Sequence, residues 1–260
     1  MNEILELLTY PFVFRALISG SLISVCASIL GVILVLKHYS LIGHGLSEIG
    51  FASLSISSAL NIPPIVISTP SVILASFVIM FTNAGDVAIA VASSAALSLG
   101  IVISSLTGSI SNTSSYLFGS VLAVSEGDLI FSIILSFVII ISFVIFYNRL
   151  FLITYNEDYA RSLGINTKFY QVLISILTAL TVVSGMRIMG TLLISGVIIL
   201  PAVSARNLSS GFKTLIIISG IISFAAFLTG LIISFVFNIP TGAGIILTNI
   251  IILIMTRIKK

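Results

Sequence analysis

The sequence predicts an all-α, polytopic membrane protein with eight or nine transmembrane helices, and three observations carry that prediction. Of its 260 residues, 58% are hydrophobic and 7% are charged, whereas soluble domains carry about 25% charged residues. The apolar residues fall in runs close to the length of about 20 residues that crosses a bilayer as a helix. The lysines and arginines gather on one set of the connections between those runs, as the positive-inside rule requires.

Taken in order, residues 12–36 form the first run. A second begins near His44 and stops at the turn "NIPP", Asn61 to Pro64, where proline removes a helix donor. Residues 66–81 form the third and 87–106 the fourth. After a serine-rich connection, a fifth covers about 129–146. The stretch "YNEDYARSLGINTKF" that follows is the longest hydrophilic segment. Two spans, about 170–183 and 189–203, flank "SGMRIMG", and two more, about 215–237 and 243–255, are joined by "NIPTG".

With alternating spans and a cytoplasmic C-terminus, the inner loops hold Lys37, Arg149, Arg161, Lys168, Arg206, Lys213, Arg257, Lys259 and Lys260. The outer side holds only Arg187 and, just inside the first span, Arg15. Nine spans put the acidic N-terminus, with Glu3 and Glu6, outside, and an N-terminal surface helix would leave eight. That acidic start is unlike a cleavable signal. Cys26, the single cysteine, rules out internal disulfides as an organising device. No linker rich in proline, glycine or charge divides the chain, so 1–260 reads as one transmembrane domain. The two "NIP" turns resemble each other but are too short to establish a repeat.

Ionisable groups inside a bilayer are costly and mark pathways or pairs. His44 and Glu48, in "LIGHGLSEIG", are one turn apart and project from one helix face. That face continues through Ala52, Ser55 and Ala59 as a stripe of small or polar side chains, like the wall of a cavity. Gly43, Gly45, Ser47 and Gly50 let neighbouring backbones come close. An imidazole with a carboxylate suits zinc, manganese or iron(II); the alternative is a neutralised intrahelical pair. Asp86, before the fourth span, is either a helix cap or a third ligand beside that pair. Glu126 and Asp128 read as solvated end residues, with Arg187 a conceivable partner for one of them. His38 reads as solvated, and Met186 and Met189 as packing residues.

The loop from about 154 to 167 contains a short helix opened by Asn156, Glu157 and Asp158, running through Tyr159, Arg161 and Leu163, and closed by Gly164. Its exposed face suits docking. There is no phosphate loop, so this chain should not hydrolyse ATP itself, and there is no H-E-x-x-H or G-x-S-x-G motif. The basic residues are too scattered for a nucleic-acid surface.

Six segments in order resemble the membrane permease subunits of zinc- and manganese-type ABC importers. They are the opening "PFVFRALISGSLISVCASILGVILVLKHYSLIGHGLSEIGFASLSI", then "GDVAIAVASSAALSLGIVISSL", "SYLFGSVLAVSEGDL", "TYNEDYARSLGI", "MGTLLISGVIILPAVSAR" and "NIPTGAGIIL". The resemblance implies a homodimer in the cytoplasmic membrane with no permanently bound cofactor, carrying a divalent cation (Zn²⁺ or Mn²⁺) along its two-fold axis. An ABC ATPase would dock on the 154–167 loop, and an extracellular metal-binding protein would deliver the ion. These permeases usually show an Asp, three residues, then a His where this chain has His44 and Glu48, so order is reversed while spacing and ligand types remain. A secondary carrier working without an ATPase is the rival, and the broken midplane helices and repeats expected of one are not evident.

Overall fold

The computed structural model describes residues 11–81, 86–108, 117–119 and 124–258, with the backbone alone for Phe12 and Asp86. The described residues form ten helices and no strand. They are α1 (Pro11–Leu36), α2 (Ile42–Ala59), α3 (Pro64–Phe81), α4 (Asp86–Leu106) and α5 (Glu126–Tyr155). The short α6 (Glu157–Ser162) precedes α7 (Thr167–Met189), α8 (Thr191–Leu208), α9 (Phe212–Phe237) and α10 (Thr241–Ile258).

All nine long helices coincide with the nine apolar runs, yet among the described residues eight are long and apolar enough to cross a membrane. The exception is α2, whose three glycines, five serines, His44 and Glu48 dilute its hydropathy. It lies inside the bundle, packed against α3, α4, α7 and α8, and 13 of its 18 residues are buried. The apolar helices thus supply a jacket that lets a polar helix sit at membrane depth. Serine and threonine hydroxyls join that jacket across helix pairs. Ser223 donates to the Ser24 carbonyl at 2.7 Å, and Thr248 donates to the Ala226 carbonyl at 3.0 Å.

The fifth span runs well past residue 146. At about 1.5 Å per residue, the 30 residues of α5 exceed a hydrocarbon core about 30 Å thick. Its inner end therefore projects, carrying α6 beyond the membrane. Aromatic rings fasten that end: Phe146 meets Tyr170 at 5.5 Å, and Phe151 meets Phe212 at 5.4 Å between centroids.

The two "NIP" turns share one construction. Asn61 and Asn238 both adopt left-handed backbone, with φ of 54° and 51°. In each turn the isoleucine amide bonds back to a serine carbonyl five residues earlier, at 3.0 Å for Ser57 and 3.1 Å for Ser234. The same serine's hydroxyl donates to the isoleucine carbonyl. A closed loop of two hydrogen bonds thus ends α2 and α9 before proline starts the next segment.

One residue, Gly190, separates α7 from α8. Its φ is +90°, and a Cβ there would lie 2.4 Å from the Leu117 carbonyl oxygen. Gly190→Ala is therefore expected to destabilise the fold by about 1–3 kcal/mol through backbone strain alone, with the clash adding to it. A melting curve of the detergent-solubilised variant checks this, and an unchanged midpoint would contradict the packing described.

Candidate metal site

The position of α2 depends on its small residues. A Cβ on Gly43 would meet Ile198 of α8 at 3.2 Å, one on Gly45 would meet Ile89 of α4 at 2.9 Å, and one on Gly50 would meet Met186 of α7 at 2.8 Å. Three neighbours approach closely because no side chain intervenes. Met186 and Met189 are buried packing residues, as expected from the sequence. His38 is exposed, with a φ of 61°.

His44 and Glu48 meet on one face of α2, with Nε2 and Oε1 3.2 Å apart. Their environments differ: the His44 side chain is 43% exposed and that of Glu48 only 5%. Glu48 Oε2 has no hydrogen-bond partner among the described residues. Two ligands bound to one ion at about 2.0–2.2 Å lie roughly 3.0–3.4 Å apart for angles between 90° and tetrahedral. The pair already stands at that separation. A simple intrahelical pair accounts for Oε1 and leaves Oε2 bare, whereas a cation held by the imidazole and by both carboxylate oxygens would engage Oε2 as well.

The rest of the stripe is not an open wall. A Cβ on Gly100 would come within 3.1 Å of the Ala52 Cα, and Ser104 donates to Ser55 at 3.1 Å. The expected cavity lining thus stops near Glu48, because Gly100 and Ser104 let α4 close over Ala52 and Ser55. Contacts between Gly45 and Ile89, Ala52 and Gly100, and Ser55 and Ser104 advance together along both chains. Therefore α2 and α4 run parallel, as two helices separated by one span must. Asp86 occupies the first position of α4, one turn before Ile89. The backbone register sets it level with the segment leading into α2. No group of three or more His, Cys, Asp or Glu side chains converges among the described residues.

At the opposite end, Glu126 is exposed as expected, whereas Asp128 is not solvated and is the acid that meets Arg187, the partner the sequence offered for one of the two. Glu126 pairs with Arg15 and Asp128 with Arg187, because the outer ends of α1, α5 and α7 converge. Asp128 also closes a capping box with Ser125 at the start of α5. The outer basic residues are thereby both neutralised, which sharpens the charge asymmetry between the two faces.

On the inner side, Asn156 Oδ1 accepts from the Tyr159 amide at 2.9 Å and caps α6. Gly164 follows the helix with a φ of +77°. Tyr159, Leu163 and Arg161 are exposed, while Ala160 seats the helix against the bundle. Glu157 faces inward. It accepts from Lys37 at 3.0 Å, from Gln171 at 2.8 Å and from Arg161 at 3.3 Å. The Lys37 side chain is only 7% exposed. Partial burial pushes the Glu157 carboxyl upward, but its bond to Lys37 and the lysine charge, with Gln171 and Arg161, outweigh that and hold it below the ordinary value. Lys37 directly follows α1, so this contact ties α6 to the five-residue connection that leads into α2. Nothing in the sequence signalled that partnership across 120 residues.

A profile of the ABC 3 transport family matches residues 9–260. The chain is 30% identical over 252 residues to the manganese import system permease protein ScaB of Streptococcus gordonii, covering 95% of this chain and 91% of that one. It is 29% identical over 258 residues to the high-affinity zinc uptake system membrane protein ZnuB of Buchnera aphidicola, covering 96% and 98%. Among solved structures, PsaBC from Streptococcus pneumoniae in complex with Fab superposes with a TM-score of 0.88 at 26% identity, covering 98% of this chain and 94% of that one.

The folded state binds the Glu157 proton less tightly than the unfolded chain. Stability from this carboxylate is thus complete above the ordinary value of 4.5 and is lost as pH falls through the lower folded value. Glu157→Gln leaves Lys37 buried without its counter-charge. Its melting midpoint is expected to fall below that of the unsubstituted protein at pH 7, with the gap closing below pH 4.5. A gap independent of pH would show that the ion pair is not its origin.

Proposed function

The chain belongs to the ABC 3 transport family, and we propose that it is the membrane permease of an ATP-driven importer carrying a divalent metal ion, manganese or zinc. It is a multi-pass protein of the cell membrane, with eight apolar helices long enough to cross it, four of which pack against α2. One observation carries the metal assignment: a buried glutamate with one oxygen beside an imidazole nitrogen and the other unpartnered. Both groups are ligands that manganese and zinc accept. Asp86 is a further carboxylate for the ion at the inner mouth, about a turn inward of the pair, an assignment supported by its level on α4.

The ion passes between two copies of the chain. Support comes from α4, which leans mainly on α2 and intersperses the exposed Ala88, Ala90, Ala92, Ser94, Ala95 and Ser98 among its exposed Val87, Val91, Leu99, Ile101 and Val102. By contrast, α5 exposes Ile133, Ile134, Phe137, Ile141, Val144 and Ile145. Bulky aliphatic side chains suit acyl chains, whereas small residues suit close helix approach or a hydrated passage. The exposed His44 opens toward that passage. Two protein ligands per chain fit a transient stop, because an ion held by a complete cage would not be released.

A separate ATPase docks against α6 through Tyr159, Arg161 and Leu163, with Asn156, Asp158 and Gly164 shaping the helix. Movement of α6 reaches α2 through Glu157 and Lys37. An extracellular metal-binding protein supplies the ion to the outer face.

The test is Mn²⁺ and Zn²⁺ uptake by the complete transporter in proteoliposomes. His44→Ala and Glu48→Ala are each expected to lower uptake by about tenfold or more, as loss of groups around a metal does, while the ATPase still copurifies. Asp86→Ser keeps a capping side chain but no ligand, so reduced uptake by a normally folded variant separates the two roles. Unchanged uptake in the His44 and Glu48 variants would remove the site. Copurification with Arg161→Glu is expected to fall, and full association would count against docking at α6.

A further inference from the structure

A groove of about 480 Å³ runs between α1, α5 and α9 on the face opposite the chemistry above, lined by Ile29, Ile140, Phe143, Val144, Tyr147, Asn148, Lys213, Ile216 and Ile217. We infer that it is a binding site for one anionic phospholipid of the inner leaflet. The assignment rests on the order of chemistry along the groove and is independent of the metal reading.

From Ile140 to Asn148 the groove follows α5 for eight residues, about 12 Å. Its floor is Phe143 and the half-buried Ile29, and its walls are Ile140, Val144 and Ile217. Nothing polar interrupts that part. The last turn changes character at one end only, where Tyr147, Asn148 and Lys213 come together. That end is the cytoplasmic one, because Lys213 starts α9 and Asn148 precedes the projecting end of α5. The Tyr147 ring packs on Phe212 at 5.7 Å, which sets it at the depth where amphipathic aromatics meet headgroups.

Charge selects the occupant. Lys213 is exposed and forms no ion pair among the described residues. The neighbouring basic Lys37 and Arg161 are both committed to Glu157, and Arg149 donates to the Tyr170 hydroxyl at 2.8 Å. Gly211 caps α9 without a side-chain hydrogen bond, so the positive end of the helix adds to the lysine. A lipid phosphate placed there meets the Lys213 ammonium, with the Asn148 amide and Tyr147 hydroxyl as further donors. One acyl chain then lies along the isoleucines toward the midplane. A zwitterionic lipid would bring its own cation against the same lysine and lose that selection.

Native mass spectrometry of the delipidated protein, titrated with phosphatidylglycerol or phosphatidylcholine of identical acyl chains, tests the site. One phosphatidylglycerol per chain is expected to be retained about fivefold better, the worth of one basic residue at an anionic surface. Lys213→Glu is expected to abolish that preference, and Val144→Trp, which fills the groove, to lower retention of both lipids. Equal retention of the two lipids, or an undiminished preference in Lys213→Glu, would overturn the inference. A disulfide between two Val144→Cys chains in native membranes would also overturn it, by showing that a second copy covers the groove.

Discussion

Everything else in this fold follows from placing one glutamate inside a bundle whose other buried polar side chains, among the described residues, are serine, threonine and a single asparagine. Glu48 is buried, one of its oxygens lies beside His44, and the other meets no donor among the described residues. Leaving a polar atom unpaired in such surroundings costs on the order of a few kcal/mol. A helix bearing that group is excluded from lipid, so it must be the one that other helices surround. The glycines of α2 admit those neighbours, and the neighbours provide the apolar surface that α2 lacks. Around the pair burial is tight at Gly45, Leu46, Ser47 and Glu48 and relaxes at His44, and that opening makes the site usable.

The same arrangement explains how an event outside the membrane could be felt at the pair. The aromatic cluster at the inner ends of α5, α7 and α9 makes the projecting end of α5 rigid. That rigid end presents α6, and Glu157 of α6 holds Lys37 at the end of α1. Only the connection from His38 to Leu41 separates Lys37 from α2. Rigid helices joined by a partly buried ion pair and a short linker transmit displacement, whereas a solvated loop would absorb it. The outer end is fastened by different means, the two arginine–carboxylate pairs. The bundle is therefore tied at both ends by charge and in the middle by hydroxyl–carbonyl bonds.

Much of this was legible in the sequence, because bilayer thickness turns helix length into a countable signal. Nine runs gave nine helices, and the basic residues gave their direction. The His44–Glu48 contact was legible too, since residues one turn apart share a face whatever surrounds them. Pairings between distant helices were not. Arg187 was a candidate partner for either acid of "SEGDL", but nothing local announces that it takes Asp128 while Arg15 takes Glu126, and nothing around Lys37 points to Glu157. The stripe below Glu48 misled for a related reason: small residues line a cavity or admit a helix equally well, and only the position of α4 decides. The extent of α5 was obscured because its last turns leave the hydrocarbon while remaining helical, so hydropathy falls before the helix ends. The shared "NIP" construction was visible as letters, but its meaning lies in the left-handed asparagine and the serine five residues upstream of the isoleucine.

The most direct test of the central claim is X-ray absorption at the manganese edge on the transporter arrested with Mn²⁺ bound. A shell containing imidazole nitrogen and carboxylate oxygen is expected, with the nitrogen contribution lost in His44→Ala and the oxygen contribution reduced in Glu48→Gln. A spectrum of oxygen neighbours only, the same in all three proteins, would mean that the ion never meets this pair.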